Sequence, residues 1–413
     1  MTKTTTTKKV PELRFPEFEG DWEKIKLSNK CNFFSGGTPI SSNTKYYKGN
    51  IPFIGSGEIH NDTTHKKITY EALNNSSAKL VQEGDILYAL YGATSGEVSI
   101  SKIDGAINQA VLCIRTDSIN NYLLCQILNF NKGNIVAKYL QGGQGNLSSS
   151  IIKSLNFHIP KFPEQQKIAN FLTQVDKKIE LLEKKQVALE QYKKGVMQKI
   201  FNREIRFQIE NEAGERIQPP AWEEKKLGEI GEVFNGLTGK TKEDFGEGYP
   251  FIQYKQIFDN SRIDITKCNY VNLGNNEKQR EVKFGDAFFT VSSETPDEIG
   301  TSSILLNDVK SMYLNSFCFG YRMNKEELLP EFARYLFRSN YFRKKIIPLA
   351  QGSTRFNMSK NNFVKLIINL PNVKEQTKIA NFLSALDQKI EAVAERSRSH
   401  REWKKGLLQK MFV

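Results

Sequence analysis

The stretch from Glu164 to Leu172 reads EQQKIANFL, and the stretch from Glu375 to Leu383 reads EQTKIANFL. Eight of the nine letters agree, and the offset is 375 − 164 = 211 positions. The agreement spreads outward at that same offset. IPKFPEQQKIANFL faces LPNVKEQTKIANFL, VDKKIE at Val175 faces LDQKIE at Leu386, and YKKGVMQKIF at Tyr192 faces WKKGLLQKMF at Trp403. Upstream the echoes continue at less constant offsets: DWEKIKL with AWEEKKL, FFSGGTP with VFNGLTG, EGDILYALYG with FGDAFFTVSS, LQGGQGNLS with AQGSTRFNMS. A unit of half a chain is far longer than a solenoid repeat. It is a duplicated domain followed by its own trailing segment.

The trailing segments read as helices. Proline precedes each start (Pro160 and Pro163; Pro371), and Glu164 or Glu375 sits in the first turn, where the helix dipole favours negative charge. Alternating steps of four and three from Ile168 collect Leu172, Val175, Ile179, Leu182 and Leu189, broken by Gln186 and Lys193. From Ile379 they collect Leu383, Leu386, Ile390, Val393 and Leu407, broken by Ser397, His400 and Lys404. This is a coiled-coil seam with polar interruptions. Each helix would reach roughly 50–55 Å. A helix with one apolar stripe needs a partner, and its twin is the nearest.

The expected fold is α+β. Two duplicated mixed α/β domains are joined by two long helices that pair as an antiparallel coiled coil, a pseudo-two-fold arrangement with the domains at opposite ends of a rod. The boundaries are 1–160 for the first domain, 161–203 for its helix, 204–220 for a charged linker ending in Pro219 and Pro220, 221–371 for the second domain and 372–413 for its helix. Within the domains, β-rich runs such as PFIGSGEI, AVLCIRT and FCFGYRM are punctuated by Gly84-Asp85 and Gly285-Asp286 turns.

Lys and Arg exceed Asp and Glu by 59 − 46 = 13, which points to a polyanion, most often nucleic acid. Five scattered cysteines without a CxxC pair read as reduced thiols. With no apolar run of membrane-spanning length and a polar start, MTKTTTTKKV, the expected location is cytoplasmic. There is no GxxxxGK[ST] phosphate loop and no G-x-S-x-G elbow, and the four histidines form no metal cluster. One catalytic outline exists: Asp297, Asp308 and Lys310 trace the loose pattern of a Mg²⁺ nuclease.

The polar loops offer more. Lys45, Tyr46, Tyr47 and Lys48, then Tyr91, Thr94, Gln141, Gln144, Asn146 and Ser148, form a candidate DNA-contact set in the first half. Lys240, Lys242, Tyr254, Lys255, Ser292, Gln351, Arg355 and Asn357 form its counterpart. Lysines and backbone amides anchor phosphates, Gln and Asn read adenine, and Arg reads guanine.

Two variable domains, each ending in a P-x-x-x-E-Q-x-x-I-A-x-F-L…D-x-x-I-E helix, resemble the specificity subunit of type I restriction-modification systems. The second copy departs slightly, with Lys374 where the first has Pro163. The resemblance implies a non-catalytic subunit whose two target-recognition domains each read one half of a bipartite DNA site. It implies helices that set the spacer and dock two modification subunits. Those partners would carry S-adenosylmethionine, and restriction subunits would bring ATP and Mg²⁺; this chain would hold no cofactor itself. The competing readings are a stand-alone Mg²⁺-dependent DNA nuclease and a DNA-free coiled-coil scaffold.

Overall fold

The computed structural model describes residues 10–139, 146–274 and 277–412. The chain divides into two compact units, one of residues 1–183 with 395–413 and the other of residues 184–394. Each unit therefore holds one domain, the first half of that domain's own helix and the second half of the other helix.

The two units share one plan, to which the second adds further short strands. The first has an antiparallel sheet in the order Asn32–Ser35, Val111–Arg115, Ile86–Ala89, Val98–Ile100; the second repeats it as Gly231–Asn235, Cys318–Met323, Ala287–Thr290, Ser302–Ile304. The strands Ile86–Ala89 and Ala287–Thr290 are buried throughout, in keeping with their apolar runs ILYA and AFFT. Each unit also has a second sheet, of four strands in the first unit and three in the second, containing a parallel pair, Ile51–Ile54 with Gly105–Ile107 and Phe245–Ile252 with Tyr313–Leu314. A third, two-stranded piece joins the start of each domain to its end: Glu23–Lys26 with Asn156–Ile159, and Glu223–Lys226 with Ile367–Leu370.

The shared Gly-Asp turn has a physical reason. Gly84 and Gly285 have φ of +93° and +90°, open to glycine at little cost. The following aspartate then turns back on the turn itself. Asp85 accepts from the Gln82 N–H at 2.8 Å and Asp286 from the Lys283 N–H at 2.7 Å. Each also takes two bonds from an arginine of the neighbouring strand, Arg115 or Arg322. Burial alone would push Asp85 up, but Arg115 and the turn amide outweigh it and hold the carboxyl below its usual range. Gly36 and Gly236 recur because a Cβ would lie 1.7 Å from the Ile107 carbonyl oxygen and 2.1 Å from that of Asn315.

The long helices run Phe162–Phe201 and Val373–Met411, 40 and 39 residues, or about 60 Å each. They are antiparallel partners, and the polar interruptions mark how. In the first unit Lys404 reaches Asp176 at 2.6 Å; in the second Lys193 reaches Asp387 at 2.5 Å. These are one pair written twice, since 193 + 211 = 404 and 176 + 211 = 387. Each aspartate is also bonded by a tyrosine hydroxyl of its own domain, Tyr122 or Tyr335. Of the stripe, Ile168, Leu172, Val175, Ile179, Leu182, Ile379, Leu383, Leu386 and Val393 are buried, while Leu189, Ile390 and Leu407 are half-buried. Its first turns serve the domain cores as well. Ile168 and Leu172 pack with Trp22, Ile152, Met411 and Phe412, and Ile379, Leu383 and Leu386 pack with Trp222, Phe363, Ile200 and Phe201.

The segment expected to be a linker is folded into the second unit. It forms a small hairpin, Ile209–Glu210 with Arg216–Ile217, and its Arg206 bonds Glu375. Among the described residues no helix is long and apolar enough to cross a membrane.

Candidate nucleic-acid interface

The repeated Glu-Gln of the helix openings docks each helix to its domain. Glu164 accepts from Arg14 at 2.8 and 2.7 Å and from the Trp22 indole at 3.3 Å. Glu375 does the same with Arg206, at 2.8 Å twice, and with Trp222 at 3.3 Å. Gln165 and Gln376 donate to the carbonyls of Pro160 and Pro371, each at 2.9 Å, and accept from the backbone of Asn120 and Leu329. The glutamates are buried, so the arginines balance charge that burial would otherwise penalise. These clamps escaped the reading of the sequence. Their glutamates and tryptophans lie in the quoted repeats, but the arginines show only as LRF at Leu13 and IRF at Ile205, separated from their tryptophans by loops of different length.

With this frame holding the domains, the predicted contact residues fall into three groups. Some are presented outward. Lys45 on the turn Thr44–Tyr47 and Lys48 just after it are exposed, while Tyr46 and Tyr47 are half-buried against Phe53 and Ile68. Tyr47 donates to the Pro39 carbonyl at 2.7 Å, and Tyr46 accepts from Asn75 at 3.2 Å, so both tyrosine hydroxyls are engaged within the protein. Tyr91, Asn146, Lys242, Gln351, Arg355 and Asn357 are exposed; Thr94 is half-buried.

Others are engaged within the protein. Lys240 pairs with Glu277 and lies 3.9 Å from Asp244, its side chain only 7% exposed, so it is not available to a phosphate as expected. The same pair, with Gln279, holds Glu277 down at about 2. Lys255 is exposed but bonds Asp259 at 2.9 Å, and Ser148 caps the helix Ser149–Ser154. Gln141 and Gln144 lie outside the described residues.

The structure brings Tyr254, Ser292 and Arg355 together. They line a cleft of about 450 Å³ in the second unit, with Phe258, Ser293, Glu294, Glu298 and Phe317. Tyr254 donates to the Ser292 carbonyl at 2.9 Å, and burial pushes its hydroxyl up, so it remains a donor. Its helix, Tyr254–Asp259, is fixed from behind by Arg338, which donates to the carbonyls of Ile257, Phe258 and Asn260 at 2.7–2.9 Å and to Ser302 at 2.6 Å. Burial, and then the nearby Arg343 and Arg334, outweigh the opposing pull of Asp259 and bring this guanidinium down to about 10, still charged at neutral pH. The first unit has a different cleft of about 520 Å³, lined by Thr38, Ser41, Tyr47, Phe53, Glu58, His65, Lys66 and Asn108 among others. Sequence reasoning missed the carboxylates of both clefts, because acidic groups are not the signature sought on a DNA-facing surface.

The nuclease outline gains no support. Asp297 lies in the turn Pro296–Glu298, whose carbonyl takes a bond from Arg343, and Asp308 is in an exposed loop. Among the described residues no three His, Cys, Asp or Glu side chains gather to hold a metal.

Comparison with known proteins agrees with the duplication. The chain is 23% identical over 401 residues to the type I restriction enzyme MjaVIII specificity subunit of Methanocaldococcus jannaschii, covering 94% of this chain and 91% of that protein. It is 26% identical to the putative MjaX specificity subunit of the same organism, over 91% of this chain and 89% of the other. The crystal structure of the type I restriction-modification S subunit from M. genitalium shares the fold with a TM-score of 0.57 at 15% identity, over 98% of this chain and 99% of that one. A chain solved in work on complex assembly and conformational transition of the type I R-M system gives 0.58 at 15% identity, over 94% and 97%. The family model of the type I restriction modification DNA specificity domain matches twice, at residues 19–191 and 219–398, each match running from a domain into its long helix, and the chain belongs to that family.

Proposed function

We propose that this chain is the DNA-recognition subunit of a type I restriction-modification complex. Each unit reads one half of an asymmetric bipartite site, the helices set the distance between the halves, and the chain itself catalyses nothing. The observation that carries this is a repeated frame with unrepeated surfaces. The clamps Arg14–Glu164–Trp22 and Arg206–Glu375–Trp222 recur, as do the pairs Asp85–Arg115 and Asp286–Arg322. The loops that hang on that frame do not: Tyr91 follows the buried strand of the first half where Ser292 follows that of the second, and QGGQGNLS stands against QGSTRFNMS. A frame kept while its loops diverge is what two readers of different sequences require, because base identity is read by side chains on loops. The excess of positive charge supplies the salt-dependent phosphate term.

Methylation and cleavage belong, on this reading, to partner subunits that bring S-adenosylmethionine, ATP and Mg²⁺. The modification subunits dock on the paired helices. The test is to express the chain with its modification subunit in a methylation-free host and sequence the modified bases. A bipartite motif with unlike halves is expected, and exchanging residues 22–158 for another domain should change one half only. Both halves changing would refute independent readers. Purified chain with Mg²⁺ and supercoiled plasmid should leave the plasmid intact; cleavage abolished by Asp308→Ala would revive the nuclease reading.

A further inference from the structure

The cleft of the second unit has a charge pattern that a phosphate site does not need. Its arginine is carefully placed. The backbones of Gln351 and Asn357 exchange two hydrogen bonds, 2.9 and 2.8 Å, and so close the loop 351–357. Gly352, at φ +134°, makes the closure possible, since a Cβ there would sit 2.1 Å from the Arg355 carbonyl oxygen. The strand Phe356–Asn357 then pairs with Ser292–Ser293, setting Arg355 one residue from that ladder. Yet the exposed Arg355 guanidinium has no hydrogen bond or ion pair among the described residues, although Glu294 and Glu298 line the same cleft. Glu298 accepts from the Ser293 hydroxyl at 2.7 Å; the exposed Glu294 side chain has no such partner.

Two carboxylates beside an arginine repel a phosphate. Opposite charges left unpaired in one cleft suit an occupant that offers acceptors to one and a donor to the other. In the major groove, a G·C pair does so: guanine presents N7 and O6, cytosine its N4 amine. An A·T pair gives an arginine no adjacent pair of acceptors on one base. We infer that the second unit reads a G·C base pair, with Arg355 on the guanine and Glu294 on the cytosine amine. This rests on the proposal that the unit is a DNA reader.

The experiment compares base-modification motifs for the full chain with its modification subunit, as wild type, Arg355→Ala, Arg355→Lys and Glu294→Ala. The second half-site is identified as the one that changes when residues 222–370 are exchanged. It should contain a G·C pair at which Arg355→Ala lowers discrimination by about tenfold or more, while the first half-site keeps its letters. Glu294→Ala should relax the same position. Arg355→Ala that weakens modification equally at all sites, leaving every letter intact, would mark a phosphate contact and overturn the inference. So would a second half-site without G·C. If Arg355→Ala does not assemble, Arg355→Lys decides. It keeps the charge but loses the planar fork, so a relaxed letter supports the assignment and unchanged letters reject it. A wild-type chain that directs no bipartite motif would instead sink the functional proposal itself.

Discussion

Glu375 shows how much one side chain carries. Its carboxylate is buried and holds Arg206, the Trp222 indole and, at 3.1 Å, the Phe207 N–H. Glu375→Ala strands a largely covered guanidinium, and the expected loss is about 3 kcal/mol, read as a fall in the urea midpoint. Glu375→Gln keeps the shape and should lose less. Asp85 makes the matching argument for pH. Its folded pKa lies below its unfolded one, so its contribution is present above the unfolded value and disappears as pH falls through the folded one. Asp85→Asn should therefore lower stability at pH 7 and flatten the decline between about pH 5 and pH 2. An unchanged acid limb in a urea series at several pH values would show that the Arg115 pair does not govern it.

At the scale of elements, the interruptions of the two helical stripes are the informative positions. Lys193 and Lys404 read as flaws in a seam. In the structure each answers an aspartate on the opposing helix, and with Tyr335 and Tyr122 these pairs tie helix, helix and domain together. Such pairs fix register and direction, much as single polar core residues do in coiled coils. A cycle of Asp176→Ala, Lys404→Ala and the double variant should give a coupling of about 1 kcal/mol, because both groups are partly exposed. A coupling of zero in thermal unfolding would mean that the pair is incidental. Inserting one heptad into each long helix should lengthen the unmodified spacer of the methylated motif without altering the letters of either half. An unchanged spacer would refute the ruler role.

Over the whole molecule, the excess of thirteen positive charges predicts a steep chloride dependence of DNA binding, the log–log slope counting the neutralised phosphates. A flat line would make that excess irrelevant to binding. The organisation also has a covalent oddity. In the second unit the helix end at Phe201 runs on to Ile205, whose N–H bonds the Lys199 carbonyl at 3.3 Å. In the first unit the corresponding bond, Leu13 N–H to the Lys410 carbonyl at 2.8 Å, joins residues from opposite ends of the chain. Met411 and Phe412 fill the first core as Ile200 and Phe201 fill the second. A domain exchange should therefore keep residues 10–21, of which Glu12 and Leu13 meet that helix end at Lys410.

The duplication, the two helices and their stripes were legible in the sequence because helix periodicity and helix-start chemistry are local. They act over a turn or two, and a repeat of 211 positions displays them twice. The Gly-Asp turns were legible for the same reason. What only tertiary structure decided is who faces whom across long sequence separations. Glu164 meets Arg14, Arg206 belongs to a clamp rather than a linker, Lys240 is engaged by Glu277, and Arg355 shares a cleft with Glu294. Those outcomes depend on how loops of unequal length close over a common frame, and side-chain charge does not encode the distance to a partner.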